Sequence, residues 1–225
     1  MGFKTIAFDR RLTVNLALFY GTYDDIQRRV SETTFNDEGE VEEVTTLTLN
    51  AAEATTKGIE FEVLAIPLPG LRISANVGLL DARYDSFPNA ISLLDGQPTD
   101  KSGQKMEGNP SYQTFLAAQY SFPLDFGQSD WMRGWITPRV QWSYRDQTVL
   151  LGPDVPQAIA QGGSNVGARF SYDFMDDRAQ VALWGQNLTD TNLIANAVPV
   201  SNTIGVVTRS YTVPRSFGAE LSFRF

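Results

Sequence analysis

The sequence predicts an all-β chain folded as an antiparallel up-and-down transmembrane β-barrel, and three observations predict it. Apolar and polar residues alternate with period two over most of the length. Short and long connections alternate between the segments that carry this pattern. The last segment ends on an aromatic residue, Phe225, in phase with its own alternation. No segment keeps a helical period.

Nine segments carry the pattern, and the first, over 2–8, is short. Over 12–20, Leu12, Val14, Leu16, Leu18 and Tyr20 face one way, with Thr13, Asn15, Ala17 and Phe19 between them. The segment over 57–65 is weaker. Over 71–79, Leu71, Ile73, Ala75, Val77 and Leu79 oppose Arg72, Ser74, Asn76 and Gly78. After a weaker segment over 112–120 comes 136–144, where Ile136, Val140, Trp142 and Tyr144 oppose Thr137, Arg139, Gln141 and Ser143. Pro138 falls on the apolar face there, and a central strand loses one ladder bond at a proline. Over 166–174, Val166, Ala168, Phe170, Tyr172 and Phe174 oppose Gly167, Arg169, Ser171 and Asp173. A weaker segment covers 179–187, and 217–225 sets Phe217, Ala219, Leu221, Phe223 and Phe225 against Gly218, Glu220, Ser222 and Arg224.

Alternation alone does not say which face is covered. A soluble β-sandwich turns its apolar face inward, whereas a membrane barrel turns it outward to lipid and keeps the polar face for the lumen. The connections favour the barrel. Turns over 9–11, 67–70 and 175–178, with a moderate one over 125–132, alternate with polar loops over 31–51, 85–109, 151–161 and 195–209. Aromatics near segment ends suit the two lipid–water boundaries: Tyr20, Tyr23, Tyr84, Tyr120, Phe122, Trp131, Trp135, Tyr144 and Phe174.

Composition removes whole classes of function. The 225 residues suffice for one domain, and a net charge of −8 leaves no basic footprint for nucleic acid. Neither cysteine nor histidine occurs, so thiol nucleophiles, disulfides, serine–histidine catalysis and the usual transition-metal ligands are excluded. No catalytic site, cofactor or metal is expected, and the chain reads as a non-enzyme. No apolar run is long enough for a transmembrane helix, and the start carries no signal-peptide pattern.

Several clusters invite a functional reading. The acidic stretch over 35–43 lacks the spacing of a calcium loop and reads as a solvated loop. Asp24 and Asp25 are strand neighbours and point to opposite faces, and Asp176 and Asp177 sit in a turn, so neither pair reads as catalytic. Asn187-Leu188-Thr189 matches a glycosylation sequon, read here as chance or as a strand end. The lumen-facing candidates are Arg139, Arg145, Arg169, Glu220 and Arg224, which share the polar face with Glu60, Glu62 and Asp173. Such a lining contacts a plug or guides an anionic ligand, or its charges pair between neighbouring strands.

The final segment resembles the C-terminal β-signal read by the bacterial barrel-assembly machinery, with Ser216, Gly218, Leu221, Phe223 and Phe225 at the signal positions. Five stretches, in order, resemble the C-terminal half of a TonB-dependent outer-membrane receptor. They are Ala54-Thr-Thr-Lys-Gly-Ile-Glu-Phe-Glu62, Leu79-Leu-Asp-Ala-Arg-Tyr84, Gly103-Gln-Lys-Met-Glu-Gly-Asn-Pro110, Val181-Ala-Leu-Trp-Gly-Gln-Asn-Leu-Thr-Asp190 and Pro214-Arg-Ser-Phe-Gly-Ala-Glu-Leu-Ser-Phe-Arg-Phe225. The resemblance implies a 22-stranded barrel in the outer membrane of a Gram-negative bacterium, filled by an N-terminal plug, with its C-terminus periplasmic. It implies uptake of a bulky scarce nutrient such as an iron–siderophore, driven by an inner-membrane complex acting through a TonB box. Lipid, the assembly machinery, the plug and the TonB complex are the implied partners. This sequence shows no plug and no TonB box, and single-chain barrels use even strand numbers, so 1–225 is expected to be a C-terminal barrel fragment. The alternatives are a small plug-less porin or adhesin barrel and a soluble all-β ligand-binding module.

Overall fold

The computed structural model describes residues 1–36, 38, 41–92, 97–125, 127, 133–152, 155–201 and 206–224. In chain order its strands begin with β1 (Gly2–Ala7), β2 (Leu12–Phe35), β3 (Val41–Ala65), β4 (Leu71–Ser86), β5 (Ala90–Ile91), β6 (Pro98–Thr99), β7 (Tyr112–Tyr120) and β8 (Phe122–Asp125). They continue with β9 (Arg133–Arg145), β10 (Thr148–Val149), β11 (Ile159–Ala160), β12 (Gly163–Phe174), β13 (Ala179–Gln186), β14 (Ile194–Ser201), β15 (Val206–Tyr211) and β16 (Ser216–Phe223). Among the described residues a single 3-10 turn, Pro156–Ala158, precedes β11.

One antiparallel wall runs β1-β2-β3-β4-β7-β9-β12-β13-β16, each strand beside the one before it in chain order, and β8 prolongs β7 along β9. These are the nine segments expected from the alternation. Among the described residues β1 pairs only with β2 and β16 only with β13, so the wall is an open, partial barrel.

The register sorts side chains into rows, because residues directly opposite in an antiparallel pair share a face. One row holds Phe3, Leu16, Phe61 and Val77, and another holds Ile73, Ala118, Val140 and Ala168. The large members of this face, among them Phe61, Ile73, Leu116, Val140, Phe170, Leu183 and Leu221, stand exposed. The opposite face carries Asn15, Glu62 and Asn76 in one row and Ser74, Ala117, Gln141 and Gly167 in another. This is the arrangement of a soluble protein turned inside out. On β9 the apolar alternation from Ile136 to Tyr144 has the length a strand needs to cross a bilayer, about 9–11 residues. On the outer face the apolar series of β3 and β4 gives way to charge at Lys57, Asp81 and Arg83, with ion pairs of 3.5 Å and 2.8 Å to Asp81. Hydrocarbon ends there.

The turns are tight and lie at one end of the wall. Phe8, Asp9 and Arg10, and again Met175, Asp176 and Asp177, adopt left-handed φ between 52° and 66°, closed by Arg11 N–H to Phe8 O and Arg178 N–H to Met175 O. The 67–70 turn needs its glycine twice over. Gly70 has φ +83°, and a Cβ there would collide with the Ser121 carbonyl. Pro138 is accommodated by a break in the ladder: Gln119 pairs with Arg139 and Phe122 with Ile136, leaving Tyr120 and Ser121 without ladder partners opposite Pro138 and Thr137. Ser121 donates its N–H to Gly70 O instead, and its hydroxyl meets that of Thr137 at 2.8 Å.

Three sequence expectations need correction. The segment over 31–51 is mostly strand: β2 and β3 stay paired as far as Phe35 and Val41. Threonine favours strands, and beyond the bilayer the outer face needs no apolar series, so the alternation that marks a wall strand is lost while the pairing continues. The segment over 195–209 likewise holds the hairpin β14–β15. Of the boundary aromatics, Tyr20, Tyr120, Phe122, Tyr144 and Phe174 share the outward face, but Tyr23, Tyr84 and Trp135 lie at inward positions. Tyr84 is 1% exposed, buried because the following loop folds over it. Trp131 and most of the 125–132 turn fall outside the described residues. Asp24 and Asp25 occupy an irregularity between Tyr23 and Ile26, with Asp25 at φ +57°.

Because the outward face meets lipid, Val77→Arg or Phe170→Arg is expected to destabilise the barrel by about 2–4 kcal/mol. Ser74→Arg and Gln141→Arg, one face over, should be tolerated. Urea unfolding of the four variants in phospholipid vesicles measures the contrast, and equal costs on both faces would reverse the assignment.

Candidate functional site: the polar face and its loop cover

The polar face of β4, β7, β9, β12, β13 and β16 is a continuous lining built from long side chains over small ones. Arg169 donates to Glu220 Oε2 at 3.0 Å and to Gln180 Oε1 at 2.9 Å. Gln180 in turn donates to Asp173 at 2.6 Å, and the Ser222 hydroxyl donates to Glu220 at 3.2 Å. β13 lies between β12 and β16, so Arg169 must reach over it. Ala182, paired with both Ser171 and Glu220 and 1% exposed, is the small residue beneath that bridge. Arg139 donates to the side-chain oxygens of Gln119 and Gln141, at 3.2 Å and 3.5 Å. A cavity of about 360 Å³ lies between these groups, lined by Arg139, Gln141, Gly167, Arg169, Trp184 and Glu220.

A larger cavity, about 580 Å³, lies nearer the long connections, where Glu60, Glu62, Gln113, Arg145 and Asn165 meet Leu193 and Thr212 of the β13–β16 connection. Arg145 anchors that connection by donating to Ile194 O at 3.0 Å, and its Nε is buried without a partner. The base of the connection is pinned by Asn187. Asn187 is 2% exposed, adopts φ +49°, and donates to Thr191 O and Val213 O at 3.0 Å and 3.1 Å. Its side-chain oxygen accepts from Thr191 N–H at 3.0 Å. The two ends of the excursion are therefore tied to one side chain.

Above β4 the inner face carries a small core of Val30, Ala52, Ala54, Tyr84, Phe87 and Ala90. A part-buried polar chain crosses it. Arg28 Nε donates to the Tyr84 hydroxyl at 3.2 Å, Tyr84 donates to Glu107 at 2.8 Å, and the Lys101 ammonium meets Glu107 at 3.0 Å. Tyr84 lies five residues past the last outward apolar position of β4, and burial pushes its phenol above the usual value.

Of the residues singled out from sequence, Arg139, Arg145, Arg169 and Glu220 stand on the polar face, and Arg224 follows β16 with its N–H on Arg178 O. They do not form one cluster: Arg145 belongs to the larger cavity, and Arg139, Arg169 and Glu220 line the smaller. Ser216, Gly218, Leu221 and Phe223 pair with Gln186, Trp184, Val181 and Ala179 of β13. Phe225 lies outside the described residues, as do the main chains of Asp37, Gly39 and Glu40 in the acidic stretch. Sequence reasoning missed Arg28, Lys101 and Glu107, whose association depends on a loop path that no periodicity encodes. It also missed Gln119 and Gln180, whose neutral amides give no signal until the register brings them beside arginine.

A profile described as TonB dependent receptor-like, beta-barrel, matches residues 1–188. Among solved structures, the ferric yersiniabactin uptake receptor of Yersinia pestis is similar with a TM-score of 0.70 at 14% identity, covering 100% of this chain and 29% of that one. A siderophore receptor of Acinetobacter baumannii gives 0.72 at 18% identity, covering 99% and 27%. The pyoverdine outer membrane receptor of Pseudomonas aeruginosa gives 0.65 at 18%, covering 100% and 29%. At these identities the likeness is one of fold, and the chain spans less than a third of each receptor.

The Glu107 network yields a test. Glu107→Ala would leave the Lys101 ammonium buried without its carboxylate, a loss on the order of 3–5 kcal/mol for a buried pair. The loop over 87–107 should then detach and become cleavable by trypsin. Lys101→Met combined with Glu107→Met should restore much of the protection, and equal cleavage in both variants would argue against the pair as the anchor.

Proposed function

The chain belongs to the TonB-dependent receptor β-barrel family, and on that premise we propose that it is the C-terminal wall of an outer-membrane receptor that takes up a bulky scarce nutrient such as an iron–siderophore. Barrels of this family sit in the outer membrane and serve transport rather than catalysis. The observation that carries the reading is the inverted wall: large apolar side chains outward, charged and amide side chains inward, tight turns at one end and folded loops at the other. The family match supports the receptor over a plug-less porin or a soluble all-β module.

In this reading the tight turns and the C-terminus are periplasmic, and the long connections, with the β2–β3 hairpin and the loop around Tyr84, face outward. The lining of Arg139, Arg145, Arg169, Glu220 and Arg224 borders the lumen, which a plug domain fills. An inner-membrane TonB complex supplies the work of uptake. Residues 1–225 form one barrel unit of the larger receptor. Radiolabelled ferric siderophore should enter cells carrying the complete receptor under iron limitation, and transport should stop when the TonB complex is removed. A protein that heating in detergent does not shift on a gel, and that stays in the aqueous phase, would end this reading.

The final strand supports a role in assembly. Phe217, Leu221 and Phe223 present an exposed apolar edge, and Ser216, Gly218, Leu221, Phe223 and Phe225 occupy the signal positions that the barrel-assembly machinery would read. Leu221→Ser with Phe223→Ser should abolish outer-membrane insertion and leave protease-sensitive protein in the periplasm. Glu220→Gln with Ser222→Thr, on the other face, should be mild. Fractionation and surface proteolysis measure both, and normal membrane levels of the first variant would contradict the assignment.

A further inference from the structure

We propose that Arg139, beside the Arg169–Glu220 pair, forms a socket for a carboxylate side chain, supplied by the polypeptide that fills the lumen of the complete receptor. The inference rests on the receptor reading above and adds to it a position and a chemistry.

The register carries the argument. Arg72 pairs with Gln119, Gln119 with Arg139, and Arg139 with Arg169, so three arginines stand in one cross-strand row on the polar face. Like charges directly opposite in a sheet are unfavourable unless something neutralises them. For Arg169 that is Glu220, at 3.0 Å. It is the only ion pair of the row among the described residues. Arg139 has neutral acceptors alone, the side-chain oxygens of Gln119 and Gln141. The chain as a whole carries a net charge of −8, so this row runs against the overall bias.

The space beside Arg139 has the shape the chemistry requires. The cavity of about 360 Å³ is lined by Arg139, Gln141, Arg169 and Gln186, with Glu220, the partner of Arg169, also on its wall. Its floor is Gly167, where a Cβ would crowd the Gln141 amide at 3.1 Å. A guanidinium fork matches the two oxygens of a carboxylate and binds it more firmly than an ammonium would. The Arg169 fork is held by Glu220 and Gln180, and the Arg139 fork meets neutral amides. The row lies near the tight-turn end: Arg72 follows Gly70 by two residues, and Arg169 precedes the turn at Met175 by six. The long connections cover the opposite end, so an occupant here belongs to whatever fills the interior. Filling it with protein removes water, and an unmatched arginine is then costly. A segment that carries Asp or Glu to this point removes that cost.

The test uses the complete receptor with Arg139→Lys, which places a reactive amine at the socket. A carbodiimide joins an amine to a carboxylate in contact with it, forming an amide while the reagent takes up the water. Mass spectrometry should find position 139 linked to an Asp or Glu outside residues 1–225. In Arg139→Gln, amide exchange of that linked segment should accelerate about tenfold while wall strands keep their protection, and Arg139→Lys should retain most of the protection. Links only to Glu220 or Asp173, or no link, would overturn the socket. Heat-shifted migration of the same preparations separates the two ideas: if it persists without a link, the socket alone fails. If it is lost, the receptor reading fails and the socket with it.

Discussion

Inside hydrocarbon, every backbone N–H and C=O must find its partner within the protein, since an unsatisfied group costs several kcal/mol. The rest of this structure follows from that requirement. It forces neighbours in sequence to become neighbours in the sheet, because a tight turn is the shortest way to hand each strand its partner. It also explains how Pro138, in the middle of β9, is tolerated. Pro138 cannot donate, and the neighbouring strand is interrupted opposite it, with Ser121 bonding to Gly70 rather than leaving its N–H idle. The same requirement makes the edges of β1 and β16 reactive surfaces, which the remaining strands of a closed barrel would cover.

Where the hydrocarbon stops, the side-chain logic changes within a single strand. In β4 the outward positions pass from Val77 and Leu79 to Asp81 and Arg83, while the inward positions pass from Asn76 and Gly78 to Ala82 and Tyr84. Exposed ion pairs such as Lys57–Asp81 contribute only about 0–1 kcal/mol, so they mark the boundary more than they stabilise it. The inner face gains a small apolar core at the level where the outer face loses its apolar series. One sheet thus serves as a membrane wall below and as half of an ordinary soluble domain above.

This change of rule decides what was legible in the sequence. Where lipid fixes the outward face, period two is strict, and the nine wall segments, their order and their tight turns can be read directly. Above it, Thr45, Thr46 and Thr48 pair as regularly as Leu16 and Val14 do, yet their polarity imitates a loop. Tyr84 shows the same difficulty in a single residue. An aromatic at a strand end reads as a boundary anchor, and only the return path of the 87–107 loop makes it a core residue with hydrogen bonds to Arg28 and Glu107. On the polar face, residue types were visible, but the grouping of Arg139 with Arg169 rather than Arg145 required the register. The clamp at Asn187 was visible only as a sequon or a strand end.

Trp184 and Gly218 sit opposite each other on β13 and β16, and a Cβ on Gly218 would drive into the indole ring. Moving β16 by two residues, the smallest slip that keeps its faces, would bring Ser216 or Glu220 beneath the ring, and neither leaves the gap the glycine leaves. The contact therefore works as a detent, a notch that lets the last strand settle at one position along its neighbour. A barrel closes only when the stagger summed around its circumference comes to a fixed value. A notch between β13 and β16 fixes one increment of that sum. It makes one tryptophan the gauge against which the circumference is measured.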